Sequence, residues 1–318
     1  MEGAGWIGWG GEVGTVNSAL VTSVTVRVPG KVNLQISVGP LRADGYHELV
    51  NVFHAVSLYD EVSAAPSDRV RVRVSGEGAD QVPLDEDNLA GRAARLLADR
   101  TGHPARVALE IRKAIPVAGG MAGGSADAAA ALVACDALWG TDLSAGELHA
   151  LAAELGSDVP FALMGGTAVG RGRGEDLVPV TARGTFHWVF ALAPGGLSTA
   201  AVYAECDLLR RHEAVPEPAA SDALMAALAA GDAKALGAAL ANDLQPASLA
   251  LRPQLAKVLR AGEDFGALGG IVSGSGPTCA FLAESGRHAE ELALALSDAG
   301  VCRAAVRATG PVPGAVIV

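Results

Sequence analysis

The stretch IPVAGGMAGGSAD, residues 115–127, is the one on which the fold turns. It sits between a run with strand alternation, Val107 to Arg112, and an alanine-rich segment, Ser125 to Trp139, that reads as a strong helix. Four glycines between a strand and a helix let the backbone approach a ligand closely. The helix start adds unpaired N–H groups carrying roughly half a positive charge, so the segment suits a phosphate. The spacing is neither of two common nucleotide loops. It lacks the Gly-Lys-Ser/Thr ending of a Walker A loop, and Met121 stands where G-x-G-x-x-G needs its second glycine. Taken alone, the segment also fits a plain glycine turn capped by Ser125.

Working outward, the pattern is mixed. Val24, Val26 and Val28 alternate, and Val32, Leu34 and Ile36 do so after the Pro29-Gly30 break, which predicts two strands. Leu49 to Val62 is rich in β formers, and arginines interleave with valines from Arg69 to Ser75. Helical spacing marks Asn88 to Arg100, and Ser144 with Glu147 forms a capping box that opens a helix ending at Gly156. The second half predicts helices over 200–211, 222–230, 233–240, 247–261 and 287–299. A strand, glycine turn and strand lie between the last two, at 269–283, and a final strand near 301–308. Without a strict βαβ rhythm, the class is α+β, with a boundary near residues 182–187.

Bulk properties narrow the function. The chain has 318 residues, half of them hydrophobic, yet no apolar run approaches the ~20 residues that cross a bilayer. Its first basic residue is Arg27, so the start lacks the charged n-region of a secretory signal and a cytoplasmic location is expected. Four scattered cysteines form no C-x-x-C pair and read as reduced thiols. A net charge of −11 disfavours nucleic acid or an anionic membrane as partner, so an anionic substrate must be captured by a local field. Only four lysines are available for that, and Lys31 and Lys113 lie beside phosphate-like motifs.

Two further motifs flank the loop. Upstream, VPGKVNLQI at 28–36 is followed by RADGYHE at 42–48. Downstream, IVSGSGPTC occupies 271–279, which by itself is also a tight hairpin. Together with 116–126, these resemble the three ordered signatures of the GHMP kinases. The Lys-x-Asn and Asp-Gly-Tyr-His elements resemble the 4-diphosphocytidyl-2-C-methyl-D-erythritol kinase family within that group. The likeness runs from about Ser23 to the C-terminus. In the glycine loop Met121, Ala122 and Ala126 depart from the Gly-Leu-Gly-Ser-Ser pattern, leaving Ser125 as the hydroxyl beside phosphate or Mg²⁺.

The resemblance implies a two-domain GHMP kinase fold, an N-terminal ribosomal-protein-S5-like domain over 23–185 and a C-terminal ferredoxin-like domain over 186–318, preceded by a flexible leader at 1–22. It implies ATP held by Pro116, Val117, Ala118, Gly119, Gly120, Met121, Ala122, Gly123, Gly124, Ser125 and Ala126, with Asn88 near the adenine and Lys113 a weaker candidate for that rim. Asp158 matches the catalytic aspartate and Lys31 the lysine that organises the acceptor, so the two are expected side by side. Asn33, Thr199, Gly274, Ser275 and Gly276 are implied on the substrate side. Tyr46 and His47 would stack on and hydrogen-bond the cytosine, with Tyr203 as its second face and Ala204 where a few relatives carry lysine. The implied partners are ATP with Mg²⁺, which lacks a dedicated protein cluster, and a small cytidine diphosphate substrate. The implied assembly is a monomer or weak homodimer. Homoserine or mevalonate kinase, and a nucleotide-binding protein without activity, are the alternatives.

Overall fold

A computed structural model of the chain describes residues 22–43 and 45–318. The expected leader thus lies, but for Thr22, outside the described residues. In chain order the strands are β1 (Val24–Leu41), β2 (His47–Pro66), β3 (Arg71–Gly76), β4 (Val107–Lys113), β5 (Thr167–Arg171), β6 (Asp176–Pro179), β7 (Phe186–Leu192), β8 (Ala241–Asn242), β9 (Gly269–Val272), β10 (Cys279–Ala283), β11 (Ala304–Gly310) and β12 (Val316–Ile317). The helices of the first half are α1 (Leu89–Thr101), α2 (Gly123–Trp139), α3 (Ala145–Leu155) and α4 (Val159–Met164). Those of the second are α5 (Thr199–Arg210), α6 (Asp222–Ala230), α7 (Ala233–Ala239), α8 (Gln245–Leu251), α9 (Gln254–Asp264) and α10 (Gly286–Asp298).

Two sheets result. One has the order β12-β1-β2-β4-β3, with β5 and β6 continuing from β2 and β8 lying parallel to β1. The other is antiparallel, β11-β7-β10-β9. The α+β class stands. Helix α2 is buried along most of its length among alanines, and small side chains let it lie close against β1 and β2. The main apolar cluster joins both sheets, drawing on Val28, Val52 and Ile115 as well as Trp188, Phe190 and Leu282.

Two expectations change in detail. The Pro29-Gly30 break does not end a strand: β1 runs through it, and the pairing with β2 takes up the irregularity as register shifts at Pro29/Gly30 and Asn33/Gln35. Such bulges re-aim side chains. The predicted helix over 247–261 is two helices, parted at Arg252-Pro253, because the residue before a proline is pushed out of the helical region. The Ser144–Glu147 capping box forms as read, with both reciprocal bonds present.

Candidate active site

The glycine loop leaves β4 and ends on α2. Ala122 is the N-cap of α2, in the left-handed region at φ 58, and makes no side-chain capping bond. The first amides of α2 are therefore not satisfied by a capping side chain. Ala118 is also left-handed, at φ 50, a conformation that costs a non-glycine residue about 1–2 kcal/mol and so marks a loop held in a required shape. Pro116, Ala118, Gly119, Gly120, Ala122, Gly123, Gly124 and Ser125 line a cleft of about 910 Å³. Val117 faces a separate, smaller cavity, and Met121 and Ala126 point into the core.

Gly120 is the hub of this loop. Its carbonyl accepts from Lys31 Nζ at 3.0 Å and from Ser273 Oγ at 3.1 Å. A Cβ on Gly120 would meet the Ser273 carbonyl oxygen at 2.0 Å, and its φ of +78 is itself unfavourable for any other residue. Gly120→Ala is therefore expected to part the two loops, lowering the melting temperature by several degrees and raising the KM for ATP at least about tenfold. A melting curve and an ATP titration check this. A wild-type KM would show that the contact between these loops does not shape the site.

The IVSGSGPTC segment is both a hairpin and a wall of the cleft. Val272 pairs with Cys279, and Gly274, Ser275 and Gly276 in the turn line the cleft. The turn is held from behind: Asn242 Nδ2 donates to the carbonyls of Val272 and Gly274, both at 2.8 Å, and Ser248 Oγ donates to that of Ser275 at 3.1 Å. Thr199 Oγ1 lies 2.9 Å from Ser275 Oγ, which joins α5 to the same turn.

Lys31 and Asn33 share one face of β1, as residues two apart on a strand must. The lysine ammonium donates to Asn33 Oδ1 at 2.6 Å and to Gly120. An ammonium has three N–H bonds, so one remains. Asp158 Oδ2 stands 3.8 Å away, an ion-pair distance too long for a hydrogen bond. The Lys31 side chain is 8% exposed and that of Asp158 is 32% exposed, so the carboxylate opens onto the cleft. Burial lowers the pKa of Lys31, and the neighbouring Asp158 charge opposes that shift without cancelling it. Although Asp158 occupies the N-cap of α4, its side chain makes no capping bond. Its carboxylate is therefore not spent on the helix start.

Tyr46, His47 and Tyr203 line the same cleft. The rings of His47 and Tyr203 stack with centroids 5.6 Å apart and planes 22° from parallel. Tyr46 is half exposed, with the Arg173 guanidinium 5.4 Å from its ring centre.

Two expectations are corrected. Asn88 does not present its amide to the cleft: its Oδ1 accepts from Gly91 N at 3.1 Å as the N-cap of α1 and its Nδ2 donates to the Pro83 carbonyl at 2.8 Å. Its neighbour Leu89 lines the cleft instead. Lys113 is not on any rim. It is buried, donating to Asp127 Oδ2 at 2.7 Å and to Asp60, whose other oxygen accepts from the amides of Ala114 and Ile115 at 2.6 and 2.9 Å. This triad ties the entrance of the glycine loop to the first turns of α2. The sequence reading missed it, along with Asn242 and Ser248. No local motif marks any of them.

Comparison with known proteins bears on the family and the fold. The model of the GHMP kinases N terminal domain matches residues 88–166 and that of the GHMP kinases C terminal domain matches residues 224–302. The chain is 64% identical over 305 residues to the 4-diphosphocytidyl-2-C-methyl-D-erythritol kinase of Thermobifida fusca, covering 93% of this chain and 99% of that one. A crystal structure of a 4-(cytidine 5'-diphospho)-2C-methyl-D-erythritol kinase superposes with a TM-score of 0.75 at 34% identity, over 89% of this chain and 98% of that one. A homoserine kinase from Cytophaga hutchinsonii superposes at 0.72 over 93% and 98% of the two chains, but at 21% identity, a likeness of fold alone.

Proposed function

The chain belongs to the 4-diphosphocytidyl-2-C-methyl-D-erythritol kinase family of the GHMP kinases, and from that premise we propose that Lys31 and Asp158 drive transfer of the ATP γ-phosphoryl group to the 2-hydroxyl of that substrate. The observation that carries the reading is the Lys31–Asp158 pair, 3.8 Å apart in the same cleft as the bare amides of α2.

Phosphoryl transfer asks little covalent chemistry of a protein. It asks for alignment of the attacking hydroxyl with phosphorus and for neutralisation of the charge on the transferring oxygens. The glycine-loop amides and the positive end of α2 hold the triphosphate. Asp158 accepts the proton of the hydroxyl as it attacks, and Lys31, fixed by Asn33 and Gly120, steadies the hydroxyl and the carboxylate together. Tyr46, His47 and Tyr203 receive the cytosine.

The donor set fits a Mg²⁺ brought by the nucleotide. Among the described residues no group of three or more His, Cys, Asp or Glu side chains could hold a metal. At the helix mouth the protein offers the Ser125 hydroxyl. Ser125 would face such an ion, which, bound with ATP, would neutralise phosphate charge. We place the enzyme in the cytoplasm, in keeping with its four free thiols, three of them buried, and read it as a monomer or weak homodimer acting in non-mevalonate isoprenoid synthesis.

Phosphorus NMR of ATP with three acceptors, the cytidine diphosphate substrate, homoserine and mevalonate, tests the reading. A new phosphomonoester signal with the cytidine compound, at a rate well above the other two, is the expected result. Faster turnover of homoserine or mevalonate would overturn the substrate, and ATP binding without turnover of any acceptor would leave a nucleotide-binding protein.

A further inference from the structure

One acidic side chain of the cleft has no part in the scheme above. Asp207 stands one helical turn beyond Tyr203 on α5 and lines the cleft together with Tyr46, His47 and Tyr203. Its side chain is 46% exposed, and Oδ1 lies 3.2 Å from Nε2 of the buried His47 ring. On the far side of that ring, Nδ1 is 2.9 Å from the carbonyl oxygen of Gly39. A carbonyl only accepts, so Nδ1 carries a hydrogen and donates it, which fixes the ring's orientation. Tyr203 packs on the ring face. Nε2 is thereby held at the cleft beside the Asp207 carboxylate.

We infer that Asp207 is the residue that selects cytosine over uracil. The inference rests on the cytidine substrate proposed above. Cytosine offers a donor, the amine at C4, beside an acceptor, N3. Uracil reverses the order, with an acceptor at O4 and a donor at N3. A carboxylate has acceptors alone; with Oδ1 turned to His47, Oδ2 of Asp207 is the atom left to take the C4 amine. The carboxylate therefore complements cytosine at its C4 amine and sets acceptor against acceptor at O4 of uracil. A site built this way rejects the wrong base strongly, because its polar groups are left unpaired in a partly desolvated pocket.

The test compares kcat/KM for the cytidine diphosphate substrate and its uridine counterpart, at saturating ATP, in the wild type, Asp207→Asn and Asp207→Glu. Asparagine has the same shape but offers an N–H that suits O4. The cytidine-over-uridine ratio is expected to fall about 10–100-fold in Asp207→Asn, through a rise in KM for the cytidine compound with kcat held within about twofold. Asp207→Glu, which keeps the acceptor, is expected to restore much of the ratio. Because each ratio is taken on one preparation, loss of folded enzyme cancels from it. An unmoved ratio, equal losses with both substrates, or a loss carried by kcat would overturn the inference. If the wild type turns over neither compound, the substrate reading fails and this inference with it. Turnover of the cytidine compound with an unmoved ratio sinks the inference alone.

Discussion

Asp158→Asn is expected to lower kcat by about 10²–10⁴ while leaving the KM for ATP within a few-fold of wild type. That range is what removal of a positioned general base ordinarily costs: the asparagine Oδ1 still accepts a hydrogen bond from the hydroxyl but cannot take its proton. ATP binding is spared because the asparagine lies outside the glycine loop, and it has the same size as the residue it replaces. The fold is spared for a separate reason. As the N-cap of α4, Asp158 makes no capping bond that the substitution could break. Steady-state kinetics and a melting curve together decide the matter. Turnover near the wild-type level, with an unchanged melting temperature, would remove Asp158 from the chemistry.

Lys31 supplies an independent check on the same pair. Burial lowers its pKa, so the ammonium loses its proton at a lower pH than an exposed lysine does. Activity that needs the charged form is present below that lowered pKa and lost as the pH rises through it. The alkaline limb of the kcat profile is expected below the ordinary value of 10.5.

The parts of this site that could be read from sequence share a physical property: each leaves its mark within a few residues. A loop that approaches a ligand with its backbone needs glycines in a row, and a helix start needs a loop before it, so residues 115–127 announce themselves. Lys31 and Asp158 were legible through the short motifs around them. The rest depends on contacts that the chain makes across long distances. Lys113 and Asp60 are 53 positions apart, and Asn242 reaches the Gly274 carbonyl over 32. No local spacing encodes such pairs. Asn88 shows the opposite failure: an asparagine before a helix fits a capping role and a ligand contact equally, and here the cap has it. Asp207 escaped because it is an ordinary exposed acid until α5 sets it against a buried histidine from β2.

Asp60→Ala is expected to destabilise the protein by about 3–5 kcal/mol, a large part of the roughly 5–15 kcal/mol by which most domains are stable. The Asp60 and Lys113 side chains are essentially fully buried, and the substitution leaves the ammonium with one carboxylate and the amides of Ala114 and Ile115 with no acceptor. In a chain of this size the loss corresponds to a fall in melting temperature of order 10 °C. The same change frees the entrance of the glycine loop, so the KM for ATP should rise in whatever enzyme stays folded. The third member of the triad gives the pH dependence. Burial, with the Asp60 charge adding to it, outweighs the attraction of Lys113 and raises the pKa of Asp127 to about 8. The folded protein thus keeps a proton that the unfolded chain releases near the ordinary value of 3.8. The stability this group contributes is fully present below that value and is lost as the pH rises through about 8. Asp127→Asn has no proton to lose. Urea unfolding of wild type and Asp127→Asn at pH 5.5 and pH 8.5 should therefore show the wild type losing stability relative to the variant as the pH rises. A constant difference between the two proteins across that interval would mean that Asp127 does not hold the proton. A melting temperature for Asp60→Ala within about 2 °C of wild type, which on this scale is less than about 1 kcal/mol, would mean that the triad does not anchor the loop.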